Sequence, residues 1–406
     1  MTSTQLPALP VSDVDLFSDE MLLDPFEQYR ALRDAGPVVY LSALGMPALP
    51  RYAEVRAALK DWQTFTSTRG NCFNEPMNQM LVQNEGQILT SDPPEHGRLR
   101  AVLADRLNSR AVRQTTDQVA VIAEGFVDSV VAEGGFDAAT IARDFPKEVV
   151  GGINGFPREL CEKLPEWGNA TSDVAGPLNA RTQAGFAALE PMFAELGALT
   201  TGDLTPGSLG WAIFDAADRG DIDPATRVDM LWNLTGPAID TTISAMGTLL
   251  LQLASDPEQW RLVRSDEALV TGAVNEAVRY DSPIQAFTRY CRRDWDAGGS
   301  VVPAGSRVVV MYGCANRDER YYTDPDRFDV RRAPGDHLGF GFGVHACLGA
   351  QLARLEMRTF VAALARRVAT MEAGTLTRNL SNISRKLRSL PVTVTAAAPD
   401  DVGGRR

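Results

Sequence analysis

The stretch FGFGVHACLG, residues 340–349, decides the fold, and the rest of the chain is interpreted from it. Gly341 and Gly343 allow turns in which a side chain would clash, and the sequence after Gly349 has the apolar periodicity of a helix. Cys347 therefore stands just before a helix, close to free backbone N–H groups and to the positive end of the helix dipole. Both effects favour a thiolate over a thiol. We interpret Cys347 as a metal-ligating thiolate.

The alternative is that Cys347 is a small buried apolar residue, which is the usual state of a lone cysteine. The neighbouring residues argue against that alternative. Phenylalanine, two glycines, histidine, cysteine and glycine at these spacings should arise by chance on the order of once in a million chains of this length. The segment resembles the haem-binding loop of cytochrome P450 monooxygenases, in which a cysteine thiolate holds the haem iron. The resemblance implies a dioxygen-activating monooxygenase with haem b (iron protoporphyrin IX) as cofactor and Cys347 as the metal ligand.

Composition limits the class of protein. The chain has 406 residues, 44% of them hydrophobic, which is enough for a large core. Its net charge of −12 argues against nucleic acid as a partner. Five scattered cysteines, none spaced as CxxC, indicate a reduced, cytoplasmic location and not a disulfide framework. We find no apolar run long enough to anchor the chain in a membrane.

The periodicity predicts a mainly α protein with small β-sheets, which agrees with the cytochrome P450 fold that the resemblance implies. Helical patterns cover residues 98–133, 158–169, 224–254, 257–280 and 350–368, and valine-rich strand patterns lie near residue 36, from 301 and from 390. We expect a loose N-terminal tail over residues 1–20, one domain over 21–398 and a C-terminal tail over 399–406. We also expect a monomer.

A break in a predicted helix indicates a second site. Pro237 cannot donate a backbone hydrogen bond, and Gly236 beside it weakens the helix further. The break could be a simple packing kink, or it could open a polar groove beside Asp240 and Thr241. In the family that the chain resembles, the corresponding acid and alcohol deliver protons during dioxygen activation. The resemblance therefore implies that Asp240 and Thr241 are catalytic.

The sequence NEAVRY contains a second pair of interest. Glu276 and Arg279 lie three residues apart on one helix, and alone they could form an ordinary surface ion pair. Together with PDRF they resemble the Glu–Arg–Arg triad of the family. The resemblance implies that Arg327 completes a buried structural network.

Haem brings two propionate groups, which need cations or several hydrogen bonds when they are buried. Four residues resemble the propionate ligands of the family: His96, Arg100, Arg289 and His345. An arginine on a helix is more often a solvated charge, so this assignment depends on the haem already implied.

Electrons must come from another protein, because the chain has no GxGxxG dinucleotide loop and no cysteine cluster for iron–sulfur ligation. We expect a ferredoxin with an NAD(P)H-dependent ferredoxin reductase. A positive patch, which could also be an ordinary solvated face, is a candidate docking site for an acidic ferredoxin. Its arginines are Arg98, Arg106, Arg110, Arg113, Arg354 and Arg358.

From about residue 223 to 391 the sequence is similar to bacterial members of the family that oxidise para-substituted benzoates and related small aromatics. The resemblance implies a small aromatic substrate that is hydroxylated or O-demethylated. It also implies a substrate pocket lined by part of the loop over residues 67–88 and by Asn233, Gly236, Pro237, Asp240, Ile284, Phe287 and Ile383. We expect Phe287 to stack on the substrate.

The chain departs from these relatives where they hold a carboxylate. Trp232 and Asn233 replace an Arg–Ser pair, and Ser172 and Ala175 replace two pocket phenylalanines. A buried carboxylate without a cation is costly, and Arg69 either supplies that cation from the loop or points to solvent. A natural-product P450 that acts on a larger aromatic intermediate by hydroxylation, coupling or rearrangement is therefore an alternative, followed by a haem-thiolate sensor or a peroxygenase.

Overall fold

The computed structural model describes residues 9–84, 86–332 and 335–398, and all structural statements below refer to these residues. The helices, numbered in chain order, are α1 Asp19–Leu23, α2 Phe26–Ala35, α3 Tyr52–Lys60, α4 Glu75–Gln83, α5 Glu95–Leu107, α6 Ser109–Gln114, α7 Thr116–Glu133, α8 Ala138–Asn154, α9 Arg158–Cys161, α10 Leu164–Val174, α11 Ala180–Ala198, α12 Leu209–Asp218, α13 Arg227–Leu234, α14 Gly236–Ser255, α15 Pro257–Ser265, α16 Ala268–Tyr280, α17 Tyr312–Ala315 and α18 Ala350–Arg367. This is the mainly α architecture that the sequence predicts.

The strands form four small sheets. Their bounds are β1 Val11–Ser12, β2 Val39–Leu41, β3 Met46–Leu49, β4 Phe65–Thr66, β5 Gly135–Asp137, β6 Phe287–Cys291, β7 Trp295–Ala297, β8 Ser300–Val302, β9 Arg307–Val310, β10 Val368–Ala373, β11 Thr377–Asn379, β12 Lys386–Ser389 and β13 Pro391–Ala396. The largest sheet has six strands in the order β1-β2-β3-β9-β6-β4, and a three-stranded sheet has the order β10-β13-β5. Two hairpins, β7-β8 and β11-β12, complete the set.

Helix α14 is the centre of the helical part of the molecule. It packs against α8, α10 and α16, and most of its side chains are buried. Helix α18, which follows Cys347, packs against α7 and α16. Because α14 and α18 both contact α16, the thiolate loop and the broken helix are held on one rigid support.

Several predicted helices are interrupted by capping residues. The pattern over residues 98–133 becomes α5, α6 and α7, because Asn108 ends α5 and its side chain accepts hydrogen bonds from the first backbone N–H groups of α6. The pattern over 257–280 becomes α15 and α16 with Asp266 between them. Residues 158–169 also divide, with α10 beginning at Leu164, although no side chain caps the start of α9 or of α10. Apolar periodicity continues across each interruption, so it does not mark where one helix ends and the next begins.

The N-terminal tail is shorter than the sequence suggests. Within the expected tail of residues 1–20, Val11–Ser12 pairs in parallel with Tyr40 and Leu41, and Leu16 and Phe17 are buried in the core. Residues 1–8 and the expected C-terminal tail, 399–406, lie outside the described residues. Among the described residues no helix is long and apolar enough to cross a membrane.

Candidate active site

The loop before α18 has the turns that its glycines predict. Gly341 and Gly343 have φ of 67° and 71°, a region that side-chain-bearing residues avoid. A Cβ at Gly343 would also lie 2.5 Å from the carbonyl oxygen of Leu59, at the end of α3. The backbone N–H of Cys347 donates to the Phe340 carbonyl at 2.8 Å and closes the loop. Local backbone geometry therefore fixes the cysteine.

The Cys347 side chain is enclosed by the fold but is accessible from a large internal cavity. Burial raises the pKa of the Cys347 thiol above its ordinary value. The backbone N–H groups of Gly349 and Ala350 and the guanidinium groups of Arg100 and Arg354 act in the opposite direction, towards the thiolate. A bound metal cation would add to these favourable effects, because a coordinating thiol loses its proton.

Three of the predicted propionate ligands bring polar groups to the cavity near Cys347. His96 is buried, and its Nε2 has no hydrogen-bond partner in the described part of the chain. Burial, followed by the nearby His345 and Arg100, lowers the pKa of His96 to about 4. Arg100 and Arg289 also line the cavity.

The fourth residue of the set, His345, also lines the cavity, and it contacts two residues outside the lining. Its Nε2 lies 3.3 Å from Ser67 Oγ and 3.7 Å from Asp92 Oδ1. The imidazole rings of His345 and His96 meet edge to face with centroids 4.6 Å apart. Burial lowers the pKa of His345, and Asp92 opposes that shift.

These residues fit an anionic, iron-containing cofactor. A soft sulfur donor faces the cavity at one point, which suits iron, and two guanidinium groups and two imidazoles line the same cavity, which suits carboxylates. The unpartnered nitrogen of His96 is the strongest single sign, because a buried polar atom without a partner is costly in the protein alone. A propionate group would supply that partner.

The predicted helix break lies one residue earlier than the glycine–proline pair. Helix α13 ends at Leu234, Thr235 has φ −97° and ψ −91°, and α14 begins at Gly236. Pro237 is thus in the first turn of α14, where its missing N–H costs little. Gly236 is required by packing, because a Cβ there would lie 2.1 Å from Thr171 Oγ1.

Asp240 and Thr241 face different surroundings. Thr241 lines the cavity, and its Oγ1 donates to the Pro237 carbonyl at 3.0 Å. Asp240 is buried outside the cavity lining, where Lys386 Nζ donates to its Oδ1 at 2.5 Å and Ser172 Oγ to its Oδ2 at 2.5 Å. The structure therefore corrects the expectation that acid and alcohol share one groove, since Asp240 reaches the cavity only through Ser172, which does line it.

The predicted substrate residues divide into two groups. Six of them line the cavity: Asn233, Gly236, Pro237, Ile284, Phe287 and Ile383. Asp240 and Arg69 do not. The Arg69 side chain is exposed, and its guanidinium lies 4.8 Å from the centroid of the Tyr290 ring. The sequence leaves open whether Arg69 points into the pocket or to solvent, and in the structure it lies outside the pocket.

The structural triad needs one correction. Glu276 and Arg279 are fully buried and form a bidentate pair at 2.7 and 2.8 Å. The third arginine is Arg332, whose Nε lies 3.1 Å from Glu276 Oε1. Arg327 is exposed and contributes only its backbone carbonyl, which accepts from Arg279 at 3.4 Å. The path of the chain after Pro325 brings the later arginine to the carboxylate.

Three functional side chains escape the sequence interpretation, as does the contact that a fourth, the predicted pocket residue Ser172, makes with Asp240. Lys386 and Ser172 are the partners of Asp240, and Asp92 contacts His345. Glu356 lines the cavity with one oxygen unpartnered within the described residues, and burial raises its pKa well above the ordinary value. A helical count would have found Glu356, which lies on α18 four and three positions after Leu352 and Ala353 of the same lining. The other three depend on contacts between distant segments.

Helix α10 is also tied to the turn of the β11-β12 hairpin. The backbone N–H of Asn382 donates to Asp173 Oδ1 at 3.0 Å, and Asn382 Nδ2 donates to the Asp173 carbonyl at 2.7 Å. Ile383, the next residue, lines the cavity. One wall of the cavity therefore consists of two segments joined by buried hydrogen bonds.

Comparison with known proteins gives consistent matches. The family model for cytochrome P450 matches residues 221–369. Cytochrome P450 CYP199A2 of Rhodopseudomonas palustris is 36% identical over 96% of this chain and 95% of that protein. The β-dihydromenaquinone-9 ω-hydroxylase of Mycobacterium tuberculosis is 32% identical over 95% of this chain and 79% of that protein. The crystal structure of Mycobacterium marinum CYP268A2 in complex with pseudoionone is similar with a TM-score of 0.84 and 28% identity, over 95% of this chain and 100% of that one.

Proposed function

We propose, from the premise that the chain belongs to the cytochrome P450 family, that it hydroxylates or O-demethylates a small aromatic substrate with electrons from a ferredoxin and its reductase. The protein is a P450 monooxygenase, and its cofactor is haem b. One observation carries the proposal for the substrate. The thiolate loop and an apolar, partly aromatic wall formed by Pro237, Ile284, Phe287 and Ile383 share one cavity.

The chain would hold the cofactor with five residues. Cys347 would supply the sulfur ligand to the iron, and His96, Arg100, Arg289 and His345 would bind the propionates. When bound, haem supplies the redox chemistry that activates dioxygen. The protein contributes the ligand, the counter-charges and a cavity that excludes bulk water.

Thr241 would hold and pass a proton at its Oγ1, because it lines the cavity one turn after the break; the neighbouring Thr242 also lines the cavity and is the alternative hydroxyl. Its hydrogen bond to the Pro237 carbonyl orients the hydroxyl on the cavity wall. Asp240 would act from behind that wall through Ser172, with Lys386 balancing its charge. Asp240→Asn should therefore slow turnover by roughly 10²-fold, the size of a general-acid contribution.

The aromatic substrate is supported by the shape of the apolar wall. Phe287 meets Tyr312 edge to face with centroids 6.3 Å apart, so the Phe287 ring is held in orientation. A fixed ring can pack against an aromatic ligand with little entropy cost. Ile284 and Ile383 lie on two neighbouring segments, since Ile284 pairs with Ser384 in an isolated β-bridge.

The ligand assignment is tested with two cysteine variants. Cys347→Ser should abolish the red-shifted absorption of the reduced carbon monoxide complex, because only a thiolate ligand produces it. Cys72→Ser is the matched control, since Cys72 also lines the cavity and burial raises its pKa to about 12. An unchanged band in Cys347→Ser, or its loss in Cys72→Ser, would refute the assignment.

The substrate class is tested by a screen of aromatic acids, amides, phenols and aryl ethers for conversion of the haem from low to high spin. At least one single-ring compound should produce the conversion and then give an oxygenated or demethylated product. A second candidate substrate is a larger aromatic intermediate of natural-product biosynthesis, favoured by the small side chains of Ser172 and Ala175 in the cavity lining. Conversion by multi-ring compounds alone would favour this second candidate.

The electron donor would dock on the basic face formed by α6 and α18, which pack together. Arg110, Arg113 and Arg358 are exposed there, whereas Arg98 is paired with Glu95 at 2.6 Å. Arg113→Glu should slow reduction by an acidic ferredoxin and weaken its dependence on ionic strength, because electrostatic steering falls with salt. The exposed Arg388 on β12 provides the control, and an equal effect of Arg388→Glu would exclude specific docking on this face.

A further inference from the structure

The cavity has a polar roof, which we define as Ser172, Thr171, Gln87, Trp232 and Asn233. All five line the cavity. Ser172 differs from the others because it links the cavity to a buried ion pair. In that pair Lys386 Nζ donates to Asp240 Oδ1 at 2.5 Å.

Ser172 can offer the cavity only a hydrogen-bond acceptor. Its Oγ lies 2.5 Å from Asp240 Oδ2. An ionised carboxylate has no hydrogen to donate, so the single hydroxyl hydrogen of Ser172 must point at Asp240. The lone pairs of the hydroxyl remain for a ligand. Because Lys386 Nζ donates to the other oxygen of the same carboxylate, Asp240 accepts a hydrogen bond at each oxygen and this orientation is fixed.

The donor groups of the other roof residues already have partners in the protein. Trp232 Nε1 donates to Thr171 Oγ1 at 3.1 Å, and that hydroxyl donates to the Trp167 carbonyl at 2.8 Å. Asn233 Nδ2 donates to the Asp229 carbonyl at 2.8 Å, and Gln87 Nε2 reaches the same carbonyl at 3.3 Å. The roof therefore presents mainly oxygen acceptors.

The distribution of charged side chains in the cavity also disfavours a carboxylate at the roof. Among the described residues, the positively chargeable side chains of the lining are His96, Arg100, Arg289 and His345, the set assigned to the propionates. Arg69 lies outside it. A ligand carboxylate at the roof would meet oxygen lone pairs and no cation, which is a costly arrangement in a buried site.

We propose that Ser172 determines specificity and that the roof selects a neutral ligand carrying a hydrogen-bond donor, such as a phenol, over a carboxylate or an aryl ether. The inference rests on the proposed function, because it takes this cavity as the substrate site. It adds the polar group that the substrate must carry at the end that meets the roof.

The experiment measures dissociation constants by spectral titration of the holoenzyme with matched ligands. The pairs are para-ethylphenol with para-ethylanisole, para-ethylbenzamide with para-ethylbenzoate, and para-phenylphenol with its methyl ether. In the wild type each donor ligand should bind about five- to tenfold tighter than its partner, the usual net effect of one buried hydrogen bond. Ser172→Ala should weaken the phenols by that factor and leave the ethers unchanged.

Two further variants separate specificity from structure. Ser172→Thr keeps the hydroxyl and should keep the preference for the phenols. In Asp240→Asn the side-chain oxygen can still accept from Lys386, so the new amide hydrogens face Ser172 Oγ and free its own hydrogen for the cavity. The preference for phenol over ether should then fall or invert.

The outcomes for the inference and for the proposed function are distinct. If Ser172→Ala weakens phenol and ether equally, or if para-ethylbenzoate binds tighter than the amide in the wild type, the inference is wrong. If only the two-ring pair binds, the single-ring substrate class is wrong and the two-ring ratio still decides the inference. Absence of binding by every pair would overturn both.

Discussion

Replacing Lys386 by methionine removes the cation from a buried ion pair and leaves a similar apolar stem. Asp240 has 2% of its side chain exposed and Lys386 has 6%, so the ion pair is largely shielded from solvent, although both residues also line a second pocket. Removing one partner of such a pair leaves an uncompensated buried charge and costs about 3–5 kcal/mol of unfolding free energy. Asp240 keeps its hydrogen bond from Ser172, and a hydrogen bond to a charged group contributes about 1.5–3 kcal/mol. We therefore expect a loss of unfolding free energy at the lower end of the range for a broken buried pair.

The assay is urea unfolding at neutral pH, monitored by circular dichroism and by haem absorbance. The matched control is Lys163→Met, because Lys163 forms an ion pair of similar length, 2.7 Å, with Glu195, but both side chains are well exposed. That control should lose at most about 1 kcal/mol. The double variant Lys386→Met/Asp240→Asn removes both charges and should recover most of the loss. If Lys386→Met costs no more than Lys163→Met, or if the double variant recovers nothing, the buried pair does not have the energetic role described here.

Three further predictions follow from other contacts. Arg332→Ala should lower the free energy of unfolding in urea by about 1–3 kcal/mol, because Glu276 loses a hydrogen-bonded cation. The control Arg327→Ala should change that free energy by no more than about 0.5 kcal/mol. A larger effect of Arg327→Ala than of Arg332→Ala would restore Arg327 to the triad. Burial lowers the pKa of His337 to about 3, so between that value and its ordinary pKa the unfolded chain binds a proton that the folded chain does not, and stability falls as pH falls. His337→Asn, which can keep the cap to the following turn, should flatten this slope by about 1.4 kcal/mol per pH unit, and an unchanged slope between pH 4 and 6 would contradict the argument. Thr241→Ala should keep substrate binding but divert electrons to hydrogen peroxide, measured as the ratio of product to NAD(P)H consumed, and full coupling would assign the proton to another group.

The part of the site that the sequence predicts well is local in the chain. Gly341, Gly343 and Cys347 lie within seven consecutive residues, and the turns that they form depend on backbone sterics alone. Helix α18 after them was also predicted to within a residue at its C-terminal end. Local sequence determines local geometry here because no distant contact competes with it.

The orientation of a helix about its own axis is harder to predict. Successive residues of a helix point about 100° apart, so the surroundings of Asp240 do not follow from those of Thr241. Thr241 and Thr242 both line the cavity, whereas Asp240 is held outside the lining by Lys386, which is 146 residues away in the chain. A motif that names two adjacent residues therefore does not say how each of them is used.

The direction of a side chain in an irregular segment is hard to predict for a different reason. Arg69 and Arg327 both lie in loops whose side chains have no periodicity that would indicate a face. Arg332 replaces Arg327 because the chain turns after Phe328, where the Asp329 N–H also reaches Glu276 Oε1, at 3.1 Å. The identity of the ion pair was predictable, and the choice between two arginines five positions apart was not.

The hydrogen bonds between Asp173 and Asn382 have a consequence for the rate at which ligands reach the cavity. Because α10 and the hairpin turn are joined, neither segment can swing outwards alone, and opening on that side requires both buried bonds to break together. The start of α4 is tied to the end of α10 in the same way, because Asn74 Nδ2 donates to the Val174 and Gly176 carbonyls at 2.8 and 2.6 Å. The C-terminal part of α4, where Leu81 lines the cavity, lies beyond this tie. Ligand exchange should thus be gated by fluctuations of the C-terminal part of α4, with amide hydrogen exchange faster there than at Asn382, while the α10 wall holds the substrate in place.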